Sequence, residues 1–138
     1  MANGLSSTEI YSLTEDRNGN LWIASAEGAM KITQSNFSTF AAADGLPPES
    51  DAPSSVKISS IFQDRSGALC VTTGAGGREP FLSHLEGEKF KSIFPNLPAQ
   101  VASIGWGTHQ IAVQDHTGDW WIATTKGLVR FSASRTGA

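Results

Sequence analysis

Apolar residues fall in short runs along this chain, each closed after a few positions by Gly, Asp, Asn or Ser. That is the pattern of strands joined by tight turns rather than of amphipathic helices. The run 10–16 ends in Asp16-Arg17-Asn18-Gly19, an Asp-x-x-Gly signal read as a two-residue turn, and the run 21–25 follows. A turn at Glu27-Gly28 leads into 29–33, and Gln34 to Asn36 separate that run from 37–41. The same order returns as 56–63, 68–73, 80–85 and 89–94, with Glu86-Gly87-Glu88 as the last turn, and a third time as 110–114, 120–124 and 128–132. Leu21-Trp22-Ile23 and Trp120-Trp121-Ile122 are apolar on both faces, whereas a strand with one solvated face alternates. Both faces of each sheet are therefore expected to be covered by neighbouring sheets.

The landmarks repeat as well as the runs. Asp16-Arg17-Asn18-Gly19-Asn20-Leu21-Trp22-Ile23, Asp64-Arg65-Ser66-Gly67-Ala68-Leu69-Cys70-Val71 and Asp115-His116-Thr117-Gly118-Asp119-Trp120-Trp121-Ile122 are copies of one pattern, with Asp-to-Asp periods of 48 and 51 residues. A glycine follows each Trp/Cys position by six residues (Gly28, Gly76, Gly127), and Gly4-Leu5, Gly45-Leu46-Pro47 and Asn96-Leu97-Pro98 open the units. Units of roughly 45–50 residues holding four short strands describe the blades of a propeller. The expected fold is all-β, with blades of four antiparallel strands. There are about three blades in one partial, open propeller over residues 1–138, divided near 4–44, 45–95 and 96–138, the third lacking its outer strand. Small residues at Ser12, Ser60 and Ala112 suit the crowded inner strands.

Composition narrows the classes of function. Hydrophobic residues make up 39% of the 138 and charged residues 17%, enough for a packed core. The formal net charge of −3, without a basic run, disfavours nucleic acid as a partner. No apolar stretch is long enough to span a bilayer, and no leader follows Met1, so no membrane contact and no signal peptide are expected of this segment. The single cysteine, Cys70, excludes an internal disulfide and a cysteine-based metal cluster.

The units resemble the two-component regulator propeller repeat family. Gly4-Leu5, Glu15-Asp16, Gly19-Asn20-Leu21-Trp22-Ile23 and Gly28 match its signature, and Gly118, Trp121, Ile122 and Gly127-Leu128 match it in the third unit. The second unit departs from it, with Cys70 at the tryptophan position and Gly76-Gly77 widening the following turn. The resemblance implies the sensor region of a bacterial regulator, outside the cytoplasm, that recognises a carbohydrate or other solute. It implies a periplasmic or extracellular location for the parent protein. An open stack of three blades leaves two apolar faces uncovered, so self-association is expected. A dimer is favoured, because two copies make six blades and three make nine, against the usual range of about four to eight.

Candidate binding residues come from the loops. The first unit takes 12 residues from its opening Gly to the Asp, and the other two take 19, so seven extra residues lie in each connection between blades. Function concentrates on elaborated loops over a rigid scaffold. The favoured face carries 47–55 and 98–109, with Glu49, Asp51, Trp106 and His109, and adds Glu27, Arg78, Glu79 and Lys126 from the turns between second and third strands. Trp106, flanked by Gly105 and Gly107, stands outside the repeat pattern and offers a platform for a sugar ring, or else a cap on the blade interface.

Other residues read as structural. Trp22 and Trp121 hold equivalent positions, which points to core packing, and Cys70 at the same position is a small buried apolar group without a base to activate it. Asp16, Asp64 and Asp115 precede turns, where a carboxylate accepts from nearby amides. Asp16, Asn18 and Asn20 lack the distal Glu of a calcium loop, and His84, His109 and His116 are scattered, so neither a metal nor any other cofactor is expected. No nucleophile elbow or phosphate-cradling loop is present. The chain reads as a noncatalytic binding and sensing module. The alternatives are a streptogramin-lyase-like propeller enzyme, which would need His109 with acids on the central face, and a scaffold whose blade faces are the functional surface.

Overall fold

A computed structural model describes residues 5–48, 55–73, 82–93, 110–124 and 126–132. The first sheet holds β1 (Ile10–Glu15), β2 (Leu21–Ser25), β3 (Gly28–Ile32) and β4 (Phe37–Phe40) in sequential antiparallel order. The second holds β5 (Ile58–Gln63), β6 (Leu69–Thr73), β7 (Leu82–Glu86) and β8 (Lys89–Ile93) in the same order. The third is built from β9 (Ala112–Gln114), β10 (Asp119–Thr124) and β11 (Gly127–Ser132), three strands among the described residues. This is the expected all-β arrangement, strand for strand. One 3-10 turn, Ala42–Asp44, joins the first sheet to the second unit.

The Asp-x-x-Gly connections are three residues long, not two. Asp16 N donates to Asn20 O at 2.9 Å and Gly19 N to Asp16 O at 2.9 Å, with Gly19 at φ +76°. The pairs Asp64/Ala68 and Asp115/Asp119 close the other two turns in the same way. A type I turn followed by a left-handed residue is the usual three-residue hairpin, and the glycine supplies the positive φ.

Register explains how the sheets stack. Residues paired across an antiparallel ladder share a face. One face of the first sheet therefore carries Trp22, Ala24 and Ala29, and it shares a core with Ile61, Leu69, Val71 and Phe90 of the second. The opposite face of the second sheet, with Phe62, Cys70, Leu82 and Ile93, shares a separate core with Ala112, Trp120 and Ile122 of the third. The entry segment of the second unit fills the first of these joints through Leu46 and Val56. Gly45 is required there: it sits at φ +88°, and a Cβ would lie 2.1 Å from Phe90 O. The first strands lie side by side, β5 against β1, and Ser60 and Ala112 on them are buried while Ser12 is half-buried.

Coverage follows position in the stack, as an open arrangement of three blades implies. Trp22 is 1% exposed, as a core residue should be, but its counterpart Trp121 is only half-buried. The cause is position in the stack. Trp121 shares its face with Val113 and Leu128, and no described sheet covers that face. Likewise Leu13 and Leu21, on the far side of the first sheet, are exposed. Among the described sheets only the middle one has a sheet against both faces, although Ile23 and Met30 on the far side of the first are buried, with Ser6 N on Met30 Sδ.

Candidate functional site

The ends of the stack differ chemically. At one end the Asp-x-x-Gly turns are knitted by the carboxylates. Asp16 accepts from the Asn18 and Asn20 amides, from Asn20 Nδ2 and from Trp22 Nε1 at 2.8 Å. Asp115 does the same with the Thr117 and Asp119 amides, Thr117 Oγ1 and Trp121 Nε1 at 2.7 Å. Burial raises the Asp16 pKa, but the donors from Asn20 and Trp22 outweigh it and hold it at about 2. Thr117 and Trp121 likewise hold the Asp115 carboxyl well below the usual carboxylate range. In the second unit Cys70 offers no indole, and Asp64 accepts from Ser66 Oγ and the Ala68 amide, as Asp115 does from Thr117 Oγ1 and the Asp119 amide. Arg17 crosses from the first turn to the second, donating from Nη1 to Ser66 O at 2.9 Å and lying over Gly67, where a Cβ would come within 2.5 Å of the guanidinium. Asp16 and Asp115 thus have both oxygens engaged by their turns and the following tryptophan, and Asp64 has Oδ1 engaged by its turn, so these carboxylates read as structural.

At the other end lie the entries to the first strands and the turns between second and third strands. Ala26 N donates to Glu9 O, which fastens the first unit's turn to the strand entry beside it, and in the third unit Ala123 N of β10 donates to Ile111 O at the entry to β9. The turns are tight because Ser25 Oγ and Thr124 Oγ1 donate to Gly28 O and Gly127 O respectively. Glu27 and Lys126, expected on this face, are exposed here. Trp106, His109, Glu49, Asp51, Arg78 and Glu79 lie outside the described residues.

The structure adds a cluster that sequence reasoning missed. Tyr11 OH donates to Glu9 Oε2 at 2.8 Å, and Lys57 Nζ lies 5.3 Å from the centre of the Tyr11 ring. The adjacent β1 and β5 bring these residues together across the joint between two units. The bond to Glu9 and partial burial raise the Tyr11 pKa against the pull of Lys57, so the phenol stays protonated. A neutral phenol, a carboxylate acceptor and an ammonium donor can hydrogen-bond a polar, hydroxyl-rich solute. Among the described residues no group of three or more His, Cys, Asp or Glu could hold a metal. Cys70 is buried, and desolvation, with help from the Asp64 charge, pushes its thiol up to about 12, so it is no nucleophile at neutral pH.

Comparison with known proteins supports the repeat reading. Residues 4–27 match the family model described as two component regulator propeller. No curated protein matches the chain. Among solved structures it is similar to the extracellular domain of BT4673 from B. thetaiotaomicron, described as a one component system, at 19% identity and a TM-score of 0.66, covering 97% of this chain and 18% of that one. The extracellular domain of BT3049 from the same organism, described as part of a hybrid two component system, aligns at 18% identity and a TM-score of 0.60, over 95% of this chain and 16% of that one. PorZ, a surface component of the type-IX secretion system of Porphyromonas gingivalis, aligns at 21% identity and a TM-score of 0.54, over 89% of this chain and 17% of that one. These likenesses establish the propeller fold for the three stacked sheets, and the chain spans less than a fifth of the structures it matches. Among the described residues no helix is long and apolar enough to cross a membrane.

Proposed function

We propose that these blades form part of a noncatalytic sensor propeller outside the cytoplasm, binding a carbohydrate or another small polar solute at the end where the connections between blades emerge. The observation that carries this reading is the Glu9–Tyr11–Lys57 cluster, which sets an aromatic ring, an acceptor and a donor at a joint between blades. At the opposite end the Asp16 and Asp115 carboxylates are taken up by their own turns and the following indoles. The regulator propeller repeat at residues 4–27 and the fold shared with extracellular sensor domains support the same reading.

The test is a titration of the chain against a panel of neutral and acidic oligosaccharides, followed by heteronuclear NMR. Binding should move the resonances of Glu9, Tyr11 and Lys57, and Tyr11→Ala should weaken it about tenfold or more, as for loss of an anchoring aromatic. Shifts confined to the Asp-x-x-Gly end, or full affinity in Tyr11→Ala together with Glu9→Gln, would overturn the assignment.

A further inference from the structure

We propose that the solute site continues from Tyr11 onto Ser59 of the second unit, so that the ligand is a chain of at least two sugar rings laid across the joint between the first two blades. This rests on the solute-binding reading above and extends the same site. The register of both first strands slips at one place. In β1 Ile10 pairs with Ser25 and Ser12 with Ala24, and in β5 Ile58 pairs with Thr73 and Ser60 with Thr72. Each first strand thus has one residue more than its partner, Tyr11 in one and Ser59 in the other. Side chains of an unbroken strand alternate between faces, so Ile58 and Ile61, three apart, would lie on opposite sides. Both are buried in the core of the first joint, which the extra residue makes possible.

A bulge leaves its extra residue out of the ladder and turns its side chain in a new direction, which is why bulges recur beside binding sites. Tyr11 and Ser59 are both half-buried at the entry end of their strands. They hold one repeat position, five residues before Asp16 and Asp64, and Glu9 and Lys57, both exposed, hold another, seven before. Glu9–Tyr11 and Lys57–Ser59 are therefore the same pair of positions in successive units. The two pairs are in contact across the joint, because Lys57 Nζ lies 5.3 Å from the centre of the Tyr11 ring. Carboxylate, phenol, ammonium and hydroxyl thus form one row, in which the Ser59 hydroxyl can both donate and accept. In this arrangement a single sugar ring is held by Glu9 and Tyr11, and a linked second ring by Lys57 and Ser59. The contacts of the second ring then form at the reduced entropic cost of an intramolecular event.

Titration followed by heteronuclear NMR tests this. The probes are the one-, two- and three-ring members of neutral gluco- and xylo-oligosaccharides and of oligogalacturonates, with circular dichroism confirming that each variant folds. The two-ring member of a bound series should bind about tenfold or more tightly than its one-ring member, and should move the resonances of Ser59 as well as Tyr11. Ser59→Ala should weaken the two-ring member about threefold to tenfold, the loss of one neutral hydrogen bond, and leave the one-ring member unchanged. Ser59→Thr, which keeps the hydroxyl, should restore the affinity. Equal affinity for one and two rings, or a Ser59→Ala variant that binds every length as the wild type does or weakens every length alike, would overturn the proposal while leaving the Tyr11 site standing. No binding by any member, or binding that leaves Tyr11 unmoved, would overturn the site itself and this extension with it.

Discussion

Exchanging the large and small partners across the second joint is the sharpest test of how the stack is packed. At the first joint a tryptophan on one sheet, Trp22, shares a core with Leu69 on the next. At the second joint the sizes are reversed: Cys70 stands at the tryptophan position, and Trp120 stands at the position of Leu69. Trp120 is 1% exposed, with its ring 6.2 Å from Phe62 edge to face, and Cys70 is fully buried beside it in the same core. Trp120→Leu removes that aromatic pair, a loss of ~0.5–1.5 kcal/mol, and leaves a partly collapsed cavity. The total comes to ~3 kcal/mol, below the ~3–5 kcal/mol of full truncation to Ala. Cys70→Trp alone forces a second indole into an occupied space, at ~1–3 kcal/mol or more. Independent effects would sum to ~5 kcal/mol. The double variant recreates the Trp–Leu pairing of the first joint and should lose only about 2–3 kcal/mol, a coupling near the top of the ~0.5–3 kcal/mol range for residues in contact. The assay is equilibrium urea unfolding of all four proteins with a common slope. Additivity to within about 0.5 kcal/mol would refute the idea that Trp120 occupies the space Cys70 vacates.

Three further outcomes follow from individual contacts. Gly45→Ala should destabilise by ~1–3 kcal/mol or more in the same unfolding assay, because the left-handed backbone and the 2.1 Å approach to Phe90 O leave no room for a methyl group. Asp16 should make stability acid-sensitive: its folded pKa of about 2 lies below the unfolded value of about 3.9, so its contribution is complete above the unfolded value and is lost as pH falls through the folded one. Urea midpoints between pH 5 and pH 2 should therefore fall less steeply in Asp16→Asn than in the wild type. Cys70, with its thiol buried and raised to about 12, should resist iodoacetamide in the folded chain and react at the rate of opening, read by mass spectrometry with and without urea.

The strands were legible because the turn chemistry brackets them so tightly: 21–25 matches β2 without adjustment, and the other edges move by two residues or fewer. The first-strand positions Ser60 and Ala112 were legible as small inner residues for the same reason. What could not be read were contacts between units. The Arg17 bridge to Ser66 O spans 49 residues and has no local signature. The Tyr11–Lys57 contact joins the entries of two first strands, one of them just past a connection whose path sequence does not give. The Asp–Trp bond was half legible. Asp16 and Trp22 are six apart with a hairpin between them, and the left-handed glycine that completes the turn brings the indole back over the carboxylate. The recurrence of the pair as Asp115 and Trp121 was the available signal.

The bond between turn and indole also explains why one position can be read two ways. In a sheet with a neighbour, the residue six after the Asp is selected by what lies across the joint, and Cys70 shows that the turn survives without the indole, Asp64 keeping its Ser66 Oγ and Ala68 amide donors. The turn alone therefore does not demand a tryptophan. At Trp121 no described sheet lies across the joint, yet the residue is a tryptophan, held by Asp115 and overlain by Arg130. An indole left half in water contributes less burial than one packed against a neighbour, and a polar residue would serve solubility better. The side chain fits its position only if that face is covered, which is the same condition that Leu128 and Val113 set beside it. Three residues on one face thus make one physical demand, and the matching leucines on the far face of the first sheet make its complement.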